Sequence, residues 1–160
     1  MSGPAWLLAL ESSAVGQAMR QWTWLYPLVE TAHIFGFVLL VGAITLFDLR
    51  LLGFGRALPA DLLAGLVLPV PVVGFVLALT TGTLLFTAEA TAYARNPAFL
   101  AKLGLIAVGL ANILVFHLGP YRAIRHWGSE VLPPAARLAG LLSLVLWFAA
   151  VASGRLIAYV

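Results

Sequence analysis

Four stretches of the chain are almost unbroken apolar sequence, and between them polar residues, prolines and glycines come in short bursts. The stretches cover about 25–47, 71–87, 100–118 and 138–157. Each approaches the roughly 20 residues that a helix needs to cross a bilayer. The polar punctuation predicts where they end. Arg20-Gln-Trp-Thr-Trp-Leu-Tyr26-Pro is an aromatic cluster suited to the headgroup belt before the first span. Asp48-Leu-Arg50 is where that span is expected to end and charge to return to water. Pro69 and Pro71 are expected to kink the second span or make it restart. Asn96-Pro97 joins an N-cap residue to a proline at the first helical position, Gly119-Pro120 stops the third helix, and Pro133-Pro134 opens the fourth. Residues 4–19 are too short and too polar to span, but Trp6, Leu7 and Leu10 fit one side of a short helix lying on the interface. The predicted fold is all-α. It is one domain over residues 1–160, an integral membrane four-helix bundle of up-down-up-down connectivity with an N-terminal interfacial helix.

Composition agrees with that pattern. Of 160 residues 62% are hydrophobic and 9% charged, against about 25% charged in an ordinary soluble domain. A net charge of +3 does not point to nucleic acid, because the nine basic residues are spread thinly around the predicted helix ends. Arg50, Arg56, Arg122, Arg125 and Arg137 fall on one side and Arg20, Arg95, Lys102 and Arg155 on the other. This small excess favours both termini outside, which in a bacterium means the periplasmic face of the inner membrane. The absence of cysteine excludes disulfides, thiolate chemistry and iron–sulfur clusters.

The candidate chemistry centres on His33, inside the run Glu30-Thr-Ala-His33-Ile-Phe-Gly-Phe-Val-Leu-Leu-Val-Gly42. An ionisable side chain in hydrocarbon marks a functional site by default. Glu30 stands one helical turn earlier on roughly the same face. At a rise of ~1.5 Å per residue, His33 lies roughly 4–5 Å to the terminus side of the midplane and Lys102 roughly 10 Å to that side. His117 lies roughly 12 Å to the other side, about 16 Å from His33 in depth. His33 and Lys102 therefore fit one site, whereas His117 belongs to a second, together with His126 if the chain folds back after Gly119-Pro120. A histidine in a helical bundle beside glycines such as Gly36 and Gly42 suits haem b, one or two per chain, with His33 and His117 as candidate iron ligands. Lys102, Arg155 and Arg20 at one end, and Arg122, Arg125 and Arg137 at the other, are candidate partners of haem propionates.

The run around His33, continuing to Leu49-Arg50-Leu51, resembles the first helix of the membrane protoporphyrinogen oxidase called HemJ. Asn96-Pro-Ala-Phe-Leu-Ala-Lys102, with His117 beyond it, resembles that family's third helix, and its Asn-Pro-Ala-Phe-Leu-x-Lys signature is similar to the copper-resistance D membrane domain. Trp24-Leu-Tyr26-Pro and Gly154-Arg-Leu-Ile-Ala-Tyr159 make the whole chain similar to a family of uncharacterised bacterial four-helix membrane proteins. The HemJ resemblance implies a haem b at the histidine of the first helix, here His33, with the lysine of the third, here Lys102, also important.

These readings lead to a b-type cytochrome of the inner membrane, passing electrons between a quinone or soluble donor and another redox centre. The alternatives are a HemJ-like protoporphyrinogen oxidase, a copper-handling membrane protein and a bundle without cofactor; enzymatic turnover is left open. Two methionines, three histidines and no cysteine are a poor ligand supply for Cu(I). Two six-coordinate haems would need four ligands, and sharing across subunits would ease that. Gly104, Ala107 and Ala111 offer a close-packing face for such a homo-oligomer.

Overall fold

The computed structural model describes residues 3–126 and 132–160, and only the backbone of His126. Among these residues there are helices and no strands. Two short helices, α1 (Ala5–Ser12) and α2 (Ala14–Gln21), precede α3 (Leu25–Leu52). Then follow α4 (Ala60–Val67), α5 (Pro69–Ala88), the single turn α6 (Ala90–Tyr93), α7 (Pro97–Leu118), a 3-10 segment over Pro120–His126, and α8 (Pro134–Leu156). Four of the helical units, with α4 and α5 counted together, are long and apolar enough to cross a membrane. The chain is a multi-pass membrane protein with an all-α helical bundle.

Local chemistry sets the helix ends. The second span restarts at Pro69, since Leu68 separates α4 from α5 and the prolines occupy the opening positions of α5. Asn96 caps α7 by accepting the Phe99 N–H at 3.0 Å. Its amide also donates to the carbonyls of Ile157 and Val160, tying the C-terminal end to the start of α7. At the end of α3, Gly53 takes φ +104°, the Gly53 N–H reaches the Arg50 carbonyl and the Phe54 N–H that of Leu49, which is the Schellman pattern.

That stop lies beyond Asp48 and Arg50, so the expectation that charge returns to water there is overturned. Both are inside the helix and buried, at 4% and 2% exposure. The chain folds back over them: Arg50 Nε–H donates to the Leu58 carbonyl at 2.7 Å, and the Ser143 hydroxyl of α8 hydrogen-bonds the Asp48 carboxyl.

The N-terminal segment also differs from a single interfacial helix. It forms two helices broken at Ser13, with Leu7 and Met19 buried and Trp6 exposed. Glu11 accepts from the Thr91 N–H at 2.7 Å and from the Thr91 hydroxyl at 2.6 Å, and Arg20 donates to the Ala88 carbonyl at 2.8 Å. The pair thus clasps the end of α5. These two hydrogen bonds hold the Glu11 carboxyl below its ordinary pKa.

The spans contact one another in the order α5–α3–α8–α7, so α5 and α7 are not neighbours. Glycines make the α3–α5 seam tight. A Cβ on Gly36 would lie 2.6 Å from the Ala78 nitrogen, and one on Gly74 would lie 2.6 Å from the Gly36 oxygen. Backbones this close gain dispersion contacts that larger residues would forbid. Outward, Leu66, Val72, Val115 and many like them are exposed. Small residues inside and large apolar ones outside suit a chain whose surrounding solvent is lipid. Of the four spans α7 is the least covered, with 11% of its most apolar window buried.

Candidate functional site

His33 is held in one orientation by the helix across the seam. Its Nδ1 lies 2.9 Å from the Ala78 carbonyl and 3.1 Å from the Thr81 hydroxyl. Thr81 already donates its own hydrogen to the Leu77 carbonyl at 2.6 Å. Both neighbours of Nδ1 are therefore acceptors, so Nδ1 carries the proton. In the neutral ring Nε2 then bears the lone pair, the arrangement found in metal-ligating histidines whose other nitrogen is anchored to a carbonyl. Gly82 lets the ring approach α5, because a Cβ there would lie 3.0 Å from the His33 Cε1 carbon. The other hydroxyls of that region, Thr80, Thr83 and Thr87, bond back to carbonyls of their own helix.

Lys102 comes to the same region from α7. Its ammonium acts electrostatically on the His33 ring, and its Nζ lies 3.4 Å from where a Cβ on Gly154 would stand. The lysine is half-buried among the spans, and neither a hydrogen bond nor an ion pair to a described residue engages it. Depth estimates put the two in the same half of the bundle at levels about 5–6 Å apart, a gap that a lysine side chain can span. Glu30 does not join them: it is exposed, and His33 turns to α5 instead. Arg20 is committed to the Glu11 and Ala88 carbonyls. Arg155, next to Gly154, donates to the Tyr159 hydroxyl at 2.6 Å and lies over that ring.

The remaining residues singled out above lie elsewhere. His117 donates Nδ1–H to the Ile113 carbonyl at 2.8 Å and lies against Tyr121 in a tilted arrangement with 4.6 Å between ring centres. The side chain of His126 lies outside the described residues. Arg122 and Arg125 are exposed while Ile124 between them is buried, so this segment is amphipathic. Arg137 lies at the far end of α8 from Arg155, about 27 Å along the axis. There it lines a 250 Å³ cavity with Arg50 and Arg56. It is therefore no partner of a group held by His33. Gly104, Ala107 and Ala111 stand exposed on α7, and no atom comes within 4 Å of a Cβ built on Gly104. Among the described residues no three of His, Cys, Asp and Glu are grouped to hold a bare metal ion.

Sequence reasoning missed Asp48, Trp147 and Thr81. Asp48 was read as a boundary marker, and neither Thr81 nor Trp147 was singled out. The available signal for Thr81 was its pairing with Gly82, a hydroxyl and a bare backbone side by side in a span.

The sequence pattern of a family of unknown function, DUF6644, matches residues 7–160, and the chain belongs to that family. No curated protein and no solved structure matches it significantly.

Proposed function

We propose that this chain is a membrane-embedded b-type haem protein that carries electrons, with His33 as axial ligand. The observation that supports it most is the anchored imidazole. Nδ1–H is given to Ala78 and Thr81, which frees Nε2 as a donor inside a span. The donor set fits the group, since one imidazole of fixed tautomer suffices for a b-type haem iron and needs no cluster of ligands. The half-buried Lys102 lies closer to the membrane surface than His33 in depth, where it would pair with a propionate. When bound, the haem would supply one-electron chemistry. The protein's part is to fix the ligand, neutralise carboxylates and keep water away with the apolar helices.

The first test is colour. Purified protein is expected to show a Soret band and a sharp α-band on reduction, His33→Ala to lose both, and His117→Ala to keep them. Colourless wild-type protein that takes up no added haemin would end this reading. Rescue of a strain lacking protoporphyrinogen oxidase would instead favour the oxidase suggested by the HemJ resemblance.

A further inference from the structure

A second site is built into the other half of the bundle. All four spans line a cavity of 440 Å³ there, within the range of small-molecule pockets. Its wall is almost wholly apolar, with a few polar groups: Asp48, Asn112, His117, Ser143 and Trp147. Two of these are unusual. Asp48 Oδ2 and Trp147 Nε1 are buried without any hydrogen-bond partner, in side chains 4% and 3% exposed. An unpaired carboxyl oxygen and an unpaired indole N–H are both costly when shut away from water. The first lacks a donor and the second lacks an acceptor.

Neither orphan results from loose packing. The Ser143 hydroxyl holds the Asp48 carboxyl, and Gly140 lets α8 lie close to the Asp48 carbonyl and Leu51. The Trp147 ring rests on Gly109 of α7, at 3.4 Å from where a Cβ would stand. The wall also has an opening. Val72 on α5 and Leu114 on α7 both line the cavity yet are exposed, and these two helices are not neighbours. A molecule would therefore enter from the lipid, between α5 and α7.

These features define the ligand. Its body must be apolar and soluble in the bilayer, and its head must offer one hydrogen-bond donor and one acceptor. We infer that this cavity binds a lipid-borne quinol, whose hydroxyl donates to Asp48 while a ring oxygen accepts from Trp147. His117 Nε2 and the Asn112 carbonyl, both left over after their Nδ1–H and Nδ2–H bonds to Ile113 and Ala139, are further acceptors on the same wall. The inference does not rest on the haem reading, since neither His33 nor Lys102 lines this cavity.

Binding of decylubiquinol to the full chain in nanodiscs tests it, with the di-O-methyl ether of the same quinol as a probe that lacks the donor. The wild type is expected to bind the ether about tenfold more weakly than the quinol, as befits loss of one hydrogen bond in a dry, apolar cavity. Asp48→Asn and Trp147→Phe should each weaken quinol binding by about the same factor, and Asp48→Asn should shrink the quinol-to-ether ratio. The ether comparison uses unaltered protein, so a variant that fails to fold does not block the test. Equal affinity for quinol and ether would overturn the inference. So would no binding of either probe, or a phospholipid retained in the cavity by native mass spectrometry.

Discussion

Gly36→Ala tests whether the α3–α5 seam is what orients His33. The added methyl would sit 2.6 Å from the Ala78 nitrogen and 3.0 Å from its Cα, both backbone atoms that cannot rotate away. Restoring ordinary contact at 3.4 Å requires the α5 backbone around Ala78 to retreat by about 0.8 Å. The His33 Nδ1 to Ala78 oxygen distance is 2.9 Å. Moving Ala78 away by that amount along the bond leaves about 3.7 Å, outside hydrogen-bonding range. Overpacking costs about 1–3 kcal/mol and the lost bond about 0.5–1.5 kcal/mol. Ala for Gly in a helix returns about 1 kcal/mol. The net expectation is a destabilisation of roughly 0.5–3.5 kcal/mol. Thermal unfolding in detergent measures that, and ¹⁵N-histidine NMR reports whether Nδ1 keeps its proton and its bond. Gly42→Ala is the control, since nothing lies within 4 Å of its Cβ. If Gly36→Ala unfolds with Gly42→Ala and keeps the Nδ1–H signal, the seam does not set the histidine.

Other expectations follow from the same contacts. Glu11 has its pKa lowered by two hydrogen bonds from Thr91, so the clasp is strongest above the ordinary carboxylate value and weakens as pH falls through the lower folded value. Hydrogen exchange at the Thr91 amide should therefore accelerate as pH is lowered beneath 4.5, after correction for intrinsic rates, and Glu11→Gln should flatten that dependence. Asn96→Ala removes the α7 cap and both ties to the C-terminal end; a loss of about 1–2 kcal/mol in unfolding experiments is expected, with faster proteolysis of the last residues. Gly53→Ala forces a side chain into φ +104° and should cost about 1 kcal/mol or more, read as a lower unfolding temperature.

Much of this architecture is legible in the residues. Pro69, Asn96-Pro97 and Pro133-Pro134 are local signals, each fixed by its own backbone chemistry, and helices begin at each of them. His33 and Lys102 could be placed at related depths because depth along a helix is residue count times rise. The partner of His33 was not legible. Glu30, one turn away, was the near neighbour in sequence, whereas the carbonyl of Ala78 and the hydroxyl of Thr81 come from across the seam.

The sequence alone determined that this chain spans a membrane as helices, because hydropathy accumulates over a contiguous window and needs no knowledge of neighbours. It also determined where helices start, since caps and prolines act within a few residues. Only the tertiary structure decided the fate of Asp48 and Arg50. Read in a line, two charges after an apolar run signal an exit to water. In three dimensions Ser143 from α8 and the Leu58 carbonyl meet them, so both stay buried. The same holds for Trp147, whose N–H is left unpaired by the way α3, α7 and α8 meet. Whether a polar group inside a helix is solvated, paired or left waiting for a ligand depends on side chains brought from other helices, and that is a property of packing.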